Sequence, residues 1–153
     1  GPGALLWDPA TTAAGAFDVE MEAVAFPGDG AGGYGLFFGG QGLEGAATDH
    51  FVFVVDREGH YWLYHRAGPE IHEIVPWTAH SAVAAVPPDG GEAVNVLAVR
   101  VRPDSLSFRV NGETVTSFPR PSYFQADGQV GLRVDGGMSV HVTRLEVTGP
   151  AIE

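Results

Sequence analysis

Phe51-Val52-Phe53-Val54-Val55-Asp56-Arg57-Glu58-Gly59-His60-Tyr61-Trp62-Leu63-Tyr64 is the stretch on which the fold turns. Residues 51–55 are apolar at every position, as in a central strand covered on both sides, and Leu36-Phe37-Phe38 reads the same way. Asp56-Arg57-Glu58-Gly59 is a tight turn that ends on a glycine, where positive φ costs least. His60 to Tyr64 is the aromatic return strand, and the whole is a β-hairpin. Within it Trp62, Tyr64 and Arg66 share one side, and Tyr61, Leu63 and His65 share the other, because side chains alternate along a strand.

The pattern continues on both sides of the hairpin. Upstream, Phe17, Val19, Met21 and Ala23 alternate with Asp18, Glu20 and Glu22 in a strand with one apolar and one charged face. Residues 28–33 form a glycine-rich loop between strands. Downstream, a strand covers Ile71 to Trp77, and a loop rich in proline and alanine runs from Thr78 to Gly91. Val94 to Arg102 sets Leu97, Val99 and Val101 on one side against Arg100 and Arg102. Asn111-Gly112 sits between Leu106–Val110 and Thr114–Thr116, and Asn-Gly suits a type I′ turn because both central residues take positive φ. Val130, Leu132 and Val134 mark a further strand. In Val140 to Val147 the apolar set shifts parity between Val142 and Leu145, which predicts a β-bulge. Helical periodicity is nowhere sustained. The expectation is an all-β, two-sheet antiparallel sandwich of roughly ten to twelve strands, with turn signals about every eight to twelve residues.

Composition narrows the function classes. The chain of 153 residues suits a single domain, and its 22 glycines and 11 prolines are dispersed among short apolar runs. Gly1-Pro2-Gly3 reads as the scar of tag cleavage, leaving 4–153 as that domain. Eight basic against nineteen acidic residues give a net charge of −11, which repels a polyanion and excludes nucleic acid as a partner. The sequence has neither an apolar run of membrane-spanning length nor a basic amphipathic helix, so no membrane partner is expected. With no cysteine there is no disulfide, zinc–thiolate site or thiol nucleophile.

The order of Gly35-Leu36-Phe37-Phe38-Gly39-Gly40, Phe51–Val55, Gly59–Tyr64, Leu106–Gly112 and Gly128-Gln129-Val130-Gly131-Leu132 resembles concanavalin A-like lectin and glucanase domains. The strand ending in Val110-Asn111-Gly112 ahead of Gly128–Leu132 is similar to the laminin G-like and 3-keto-disaccharide-hydrolase-type branch. The likeness spans about Phe17 to Val147 and implies a jelly roll. It also implies an exported bacterial protein, either periplasmic or extracellular. Its motifs are turns and core positions, so they speak to fold more than to function.

The residues offer three kinds of candidate site. Asp18, Glu20 and Glu22 project to one side about 6.5 to 7 Å apart, a spacing that suits a glycosidase acid and nucleophile. They lack flanking tryptophans, however, and read better as the solvent face of an outer strand. His60 and His65 lie on opposite faces, and His65 with His72 would still lack a third ligand, so no histidine metal site is expected. Asp29, Asp49, Asp127 and Asp135 lie in or near turns and leave a structural calcium open, with no other cofactor expected. Trp62, Tyr64 and Arg66, joined by Trp77, Arg133 and Asp135 on strands that could neighbour them, would form a patch in which aromatic rings stack on sugar rings and Arg and Asp fix hydroxyls. The competing reading buries Trp62 and Tyr64 between the two sheets.

These readings place binding above catalysis. The leading expectation is a non-catalytic carbohydrate-binding or adhesion module. A glycoside hydrolase of the 3-keto-disaccharide type and a protein–protein interaction domain are the alternatives, so the partner is a saccharide or a protein surface.

Overall fold

Alternating apolar and polar residues can satisfy both themselves and their backbone only by pairing in sheets, and the chain does so along almost its whole length. In the computed structural model, which describes residues 3–28, 32–121 and 124–149, there are eleven strands and no helix among the described residues. They are β1 (Ala4–Ala13), β2 (Phe17–Ala25), β3 (Tyr34–Gln41), β4 (Asp49–Val55), β5 (His60–Ala67), β6 (Glu70–Ala79), β7 (Ala93–Val101), β8 (Ser105–Val110), β9 (Glu113–Pro119), β10 (Gly128–Val134) and β11 (Val140–Thr148). Gly1 and Pro2 of the expected scar, and Asp29 and Gly30 of the glycine loop, lie outside the described residues.

A six-stranded sheet in the order β1-β10-β3-β4-β5-β6 packs on a five-stranded sheet in the order β11-β2-β7-β8-β9, with every pairing antiparallel. The core between them takes Leu36, Phe38, Phe53, Val55 and Leu63 from the larger sheet. The smaller sheet supplies Phe17, Val19, Met21, Leu97, Val99, Leu106 and Phe108. Phe53 and Phe108 meet edge to face at 5.2 Å, so the two sheets interlock through their largest side chains.

The turns behave as their residues require. Gly59 has φ 92° at the end of the β4–β5 turn, and Asn111 and Gly112 have φ 52° and 83° between β8 and β9. The parity change in the last strand is a register shift between Val142 and Arg144 against β2. One strand escaped the sequence reading. β1 pairs with β10, but its register breaks between Trp7 and Thr12, so no run of alternation marks it. A second reading is corrected: β2 lies between β11 and β7 and is not an outer strand, although its charged face does point away from the core.

The long connection after β6 is held by two asparagines. Buried Asn95 donates from Nδ2 to the Tyr34 hydroxyl oxygen at 2.9 Å and to the Ala84 carbonyl at 3.0 Å, while its Oδ1 accepts from the Ala84 N–H at 2.8 Å. Asn111 donates to the Ala82 carbonyl at 2.8 Å and to Asn95 Oδ1 at 2.9 Å. Burial raises the Tyr34 pKa, and the bond from Asn95 opposes that rise only in part. Replacing Asn95 strands several of these groups at once. Asn95→Ala is therefore expected to cost about 3 kcal/mol of stability, checked by urea unfolding; a loss below about 1 kcal/mol would mean that water replaces the network.

Candidate functional site

The outer face of the six-stranded sheet is where apolar residues remain after the core is filled. Strand pairing lines up two rows across it. One runs Leu5, Arg133, Gly35, Val54, Trp62; the next runs Trp7, Gly131, Phe37, Val52, Tyr64, Glu73. Phe37, Val52, Val54 and Tyr64 are buried there as a small second core, with Leu5, Trp7, Leu43 and Trp62 packed on it. Glycine makes this possible. A Cβ on Gly131 would sit 2.7 Å from the Phe37 ring, and one on Gly33 would sit 2.9 Å from Trp77 Cη2, so these rings rest on bare backbone.

The aromatic side of the face is built by β5 and β6. Trp62 stacks on Trp77, with ring centroids 5.3 Å apart and planes at 25°, and it touches Tyr64 at 4.2 Å. The Trp62 Nε1–H donates to Glu73 Oε2 at 2.7 Å, which fixes the indole. Trp77 is 38% exposed, whereas Tyr64 is 4% exposed, so the stack has a wet outer ring and a buried foot. Burial raises the Tyr64 pKa; the charge of Arg133 opposes that rise, and Asp135 adds to it.

The polar side is built by β10 and the turn after it. Arg133 Nε donates to Asp135 Oδ1 at 2.9 Å, and Nη2 lies 2.8 Å from the same oxygen. The other carboxylate oxygen of Asp135 accepts the Gly33 N–H at 2.7 Å. Arg66 donates from Nε to the Gly68 carbonyl at 2.9 Å. Paired with Arg66 across β4 and β5, His50 is 2% exposed, with Nδ1 3.1 Å from Thr48 Oγ1.

Five of the six residues singled out from the sequence thus stand on one sheet, with Asp135 in the turn just after β10, and strand register puts Trp62, Tyr64, Arg66 and Arg133 on one face of it. Two details differ from expectation. Trp62 and Tyr64 are not sandwiched between the sheets but belong to the second core on the far side. Arg133 and Asp135 are not on a neighbouring strand either: β3 and β4 intervene between β10 and β5, a separation of about 14 Å at ordinary strand spacing. Sequence reasoning missed Trp7, Leu5 and His50. Period two alone puts His50 on the side of Val52 and Val54, whereas Trp7 and Leu5 needed β1 to be seen first.

The other candidates are engaged elsewhere. Asp18 pairs with Arg102 at 2.8 Å, Glu20 pairs with Arg144, and Glu22 accepts from Thr143 Oγ1 at 2.8 Å. This trio lies on the five-stranded sheet, so it shares no surface with the tryptophans. His60 bonds Asp56 at 2.9 Å and His65 bonds Asp49 at 2.8 Å. Asp127 accepts the Gly15 N–H at 2.8 Å, and Asp29 lies outside the described residues. Among the described residues no group of three His, Cys, Asp or Glu side chains is placed to hold one metal ion.

No family model matches the sequence, and no curated protein matches it either. Solved structures do match in fold. The carbohydrate-binding module CBM66 from Bacillus subtilis aligns with a TM-score of 0.76 at 13% identity, covering 97% of this chain and 83% of that one. The β-glucanase of Bacillus licheniformis aligns with a TM-score of 0.61 at 14% identity, covering 92% and 69%. The CBM40 module of the Ruminococcus gnavus IT-sialidase, bound to α2,6 sialyllactose, aligns with a TM-score of 0.61 at 11% identity, covering 100% and 93%. The jelly-roll fold expected from the sequence is thereby shown.

His50 gives this face a pH signature. Burial first, and then the charges of Arg66 and Arg133, push its pKa down from 6.5 to about 4. The folded state keeps the ring neutral while the unfolded chain protonates it, so stability is full above pH 6.5 and falls as pH drops toward 4. The loss is about 3 kcal/mol over that window, on the order of 1.4 kcal/mol per pH unit. Denaturant unfolding at pH 7.5 and 4.5 should show His50→Gln losing about 2 to 3 kcal/mol less than the parent. Equal losses in the two proteins would clear His50 of the effect.

Proposed function

We propose that this protein is a non-catalytic saccharide-binding module whose ligand lies on the outer face of the six-stranded sheet. The observation that carries the reading is the exposed Trp77 ring stacked on a Trp62 that Glu73 holds in place, on the same sheet as Arg133, which pairs with Asp135. A flat, fixed indole offers its face to the C–H side of a sugar ring at little cost in side-chain entropy, and a guanidinium–carboxylate pair supplies both donors and acceptors for hydroxyls. The interval between the two, floored by Gly33, Gly35 and Val54, lets one ligand touch both sides.

The fold shared with carbohydrate-binding modules supports the saccharide class. Binding is favoured over hydrolysis because the carboxylate trio lies on the opposite sheet and each member is engaged by a neighbouring side chain. In this reading the protein is a bacterial module that works outside the cytoplasm, as its likeness to laminin G-like and 3-keto-disaccharide-hydrolase-type domains implies.

A glycan array followed by calorimetric titration of the strongest hit tests the proposal. Trp77→Ala removes an exposed ring without opening the core, and should weaken binding about tenfold, the equivalent of about 1.4 kcal/mol. Retention of full affinity by Trp77→Ala, or no glycan bound at all, would sink it.

A further inference from the structure

A cleft lies on the other side of the six-stranded sheet, where the sandwich opens along one flank. Its mouth is bounded by the two edge strands β6 and β9, and it has a volume of about 600 Å3. Phe51, Ile74, Phe118 and Phe124 supply apolar walls, and Asp49, His65, His72 and Gln125 supply the polar groups. The volume lies within the range of about 300–1,000 Å3 found for small-molecule sites, and an apolar cleft with few polar groups is their usual make-up.

The inner wall is a run of near-parallel rings. Phe124 and Phe51 stack at 4.2 Å, Phe51 and His65 at 4.6 Å, and His65 and His72 follow at 5.9 Å. The lip is tied down by Arg120, which donates to the Phe124 carbonyl at 3.2 Å and to the Arg102 carbonyl at 3.2 Å. Ile74 is left 37% exposed beside the cleft.

The lining selects a chemistry. A saccharide would lose hydrogen bonds to water on most of its hydroxyls against Phe and Ile walls, at a cost for each one. Among the described residues no Lys or Arg lines the cleft, and Arg120 at its lip is engaged by two carbonyls, so an anion finds no free counter-charge there. A cation finds no free carboxylate pair, because Asp49 is bound to His65 at 2.8 Å, and Glu70 at the rim lies 3.2 Å from His72. The bond to His65 uses Oδ1 of Asp49 and leaves Oδ2, a strong acceptor at the end of an aromatic wall.

We propose that this edge cleft is a binding site for a small, neutral aromatic alcohol, with its ring against Phe51, Phe118, Phe124 and Ile74 and its hydroxyl donated to Asp49. The site is separate from the saccharide face, since it opens on the core side of β4 and β5. Either site can therefore fail its test without the other.

Titration of the intact protein with 1-naphthol, followed by amide NMR shifts, tests it. Saturable shifts are expected at Asp49, His65, His72, Ile74, Phe118 and Gln125. Naphthalene, which lacks the hydroxyl, should bind roughly tenfold more weakly, as should 1-naphthol to Asp49→Asn, since the bond to a charged acceptor is lost in both cases. Ile74→Trp fills the cleft from an exposed position and should reduce binding at least about tenfold. Asp49→Asn keeps the shape of the site and serves if Ile74→Trp does not fold. The proposal is overturned by shifts that never saturate, by shifts confined to the Trp62–Trp77 face, by equal binding of naphthalene and 1-naphthol, or by concentration-dependent dimerisation that covers the cleft with a second copy.

Discussion

The two central strands of the larger sheet, β3 and β4, bury apolar side chains on both faces, and the rest of the molecule answers to that. Leu36, Phe38 and Phe53 are satisfied by the facing sheet. Phe37, Val52 and Val54 point the other way, where no second layer exists, and leaving each of them in water would forfeit about 1.5 to 3 kcal/mol. The sheet covers them with its own side chains, using Trp62 from β5, Trp7 and Leu5 from β1, and Leu43 from the loop before β4. A face that must be apolar for stability is thereby given an aromatic surface, and the outermost ring, Trp77, is left in contact with solvent.

The smaller sheet faces no such demand. Along β2 and β7 every second residue is core and the intervening ones are charged, small or only partly covered, so its outer face is finished with ion pairs such as Asp18–Arg102 and Glu20–Arg144. Pairs this exposed add little stability, since water screens them, and the shallow hollow they border is lined by the charged groups of Asp18, Glu20, Arg100, Arg109 and Glu146. The two outer faces therefore differ in kind. One is an acidic, solvated surface on which carboxylates are held by neighbours; the other is a packed aromatic surface with a carboxylate-paired guanidinium on the same sheet.

Much of this was legible because it is local. Period-two alternation located β2, β7 and β10; Gly59 and Asn111-Gly112 located two hairpins; and the parity change at Val142–Leu145 located a bulge. The common side of Trp62, Tyr64 and Arg66 followed from the same period. β1 was not legible, since Asp8-Pro9 interrupts its pattern and its pairing with β10 slips between Trp7 and Thr12. With β1 unseen, Trp7 and Leu5 could not be assigned to the aromatic face. The edge cleft was hidden for a related reason, as its walls come from β4, β5, β6, β9 and the segment around Phe124.

By itself the sequence determined that this chain makes antiparallel strands, where most of them turn, and which side chains share a side of each strand. Those properties depend on φ preferences and on neighbours two residues away. Only the tertiary structure decided which side of β5 faces the other sheet, that β10 enters between β1 and β3 so that Arg133 shares a sheet with the tryptophans and Asp135 follows at its end, and that β6 and β9 leave a cleft between them. Strand order is set by how well whole faces bury one another. That energy is summed over residues far apart in the chain, and no short stretch contains it.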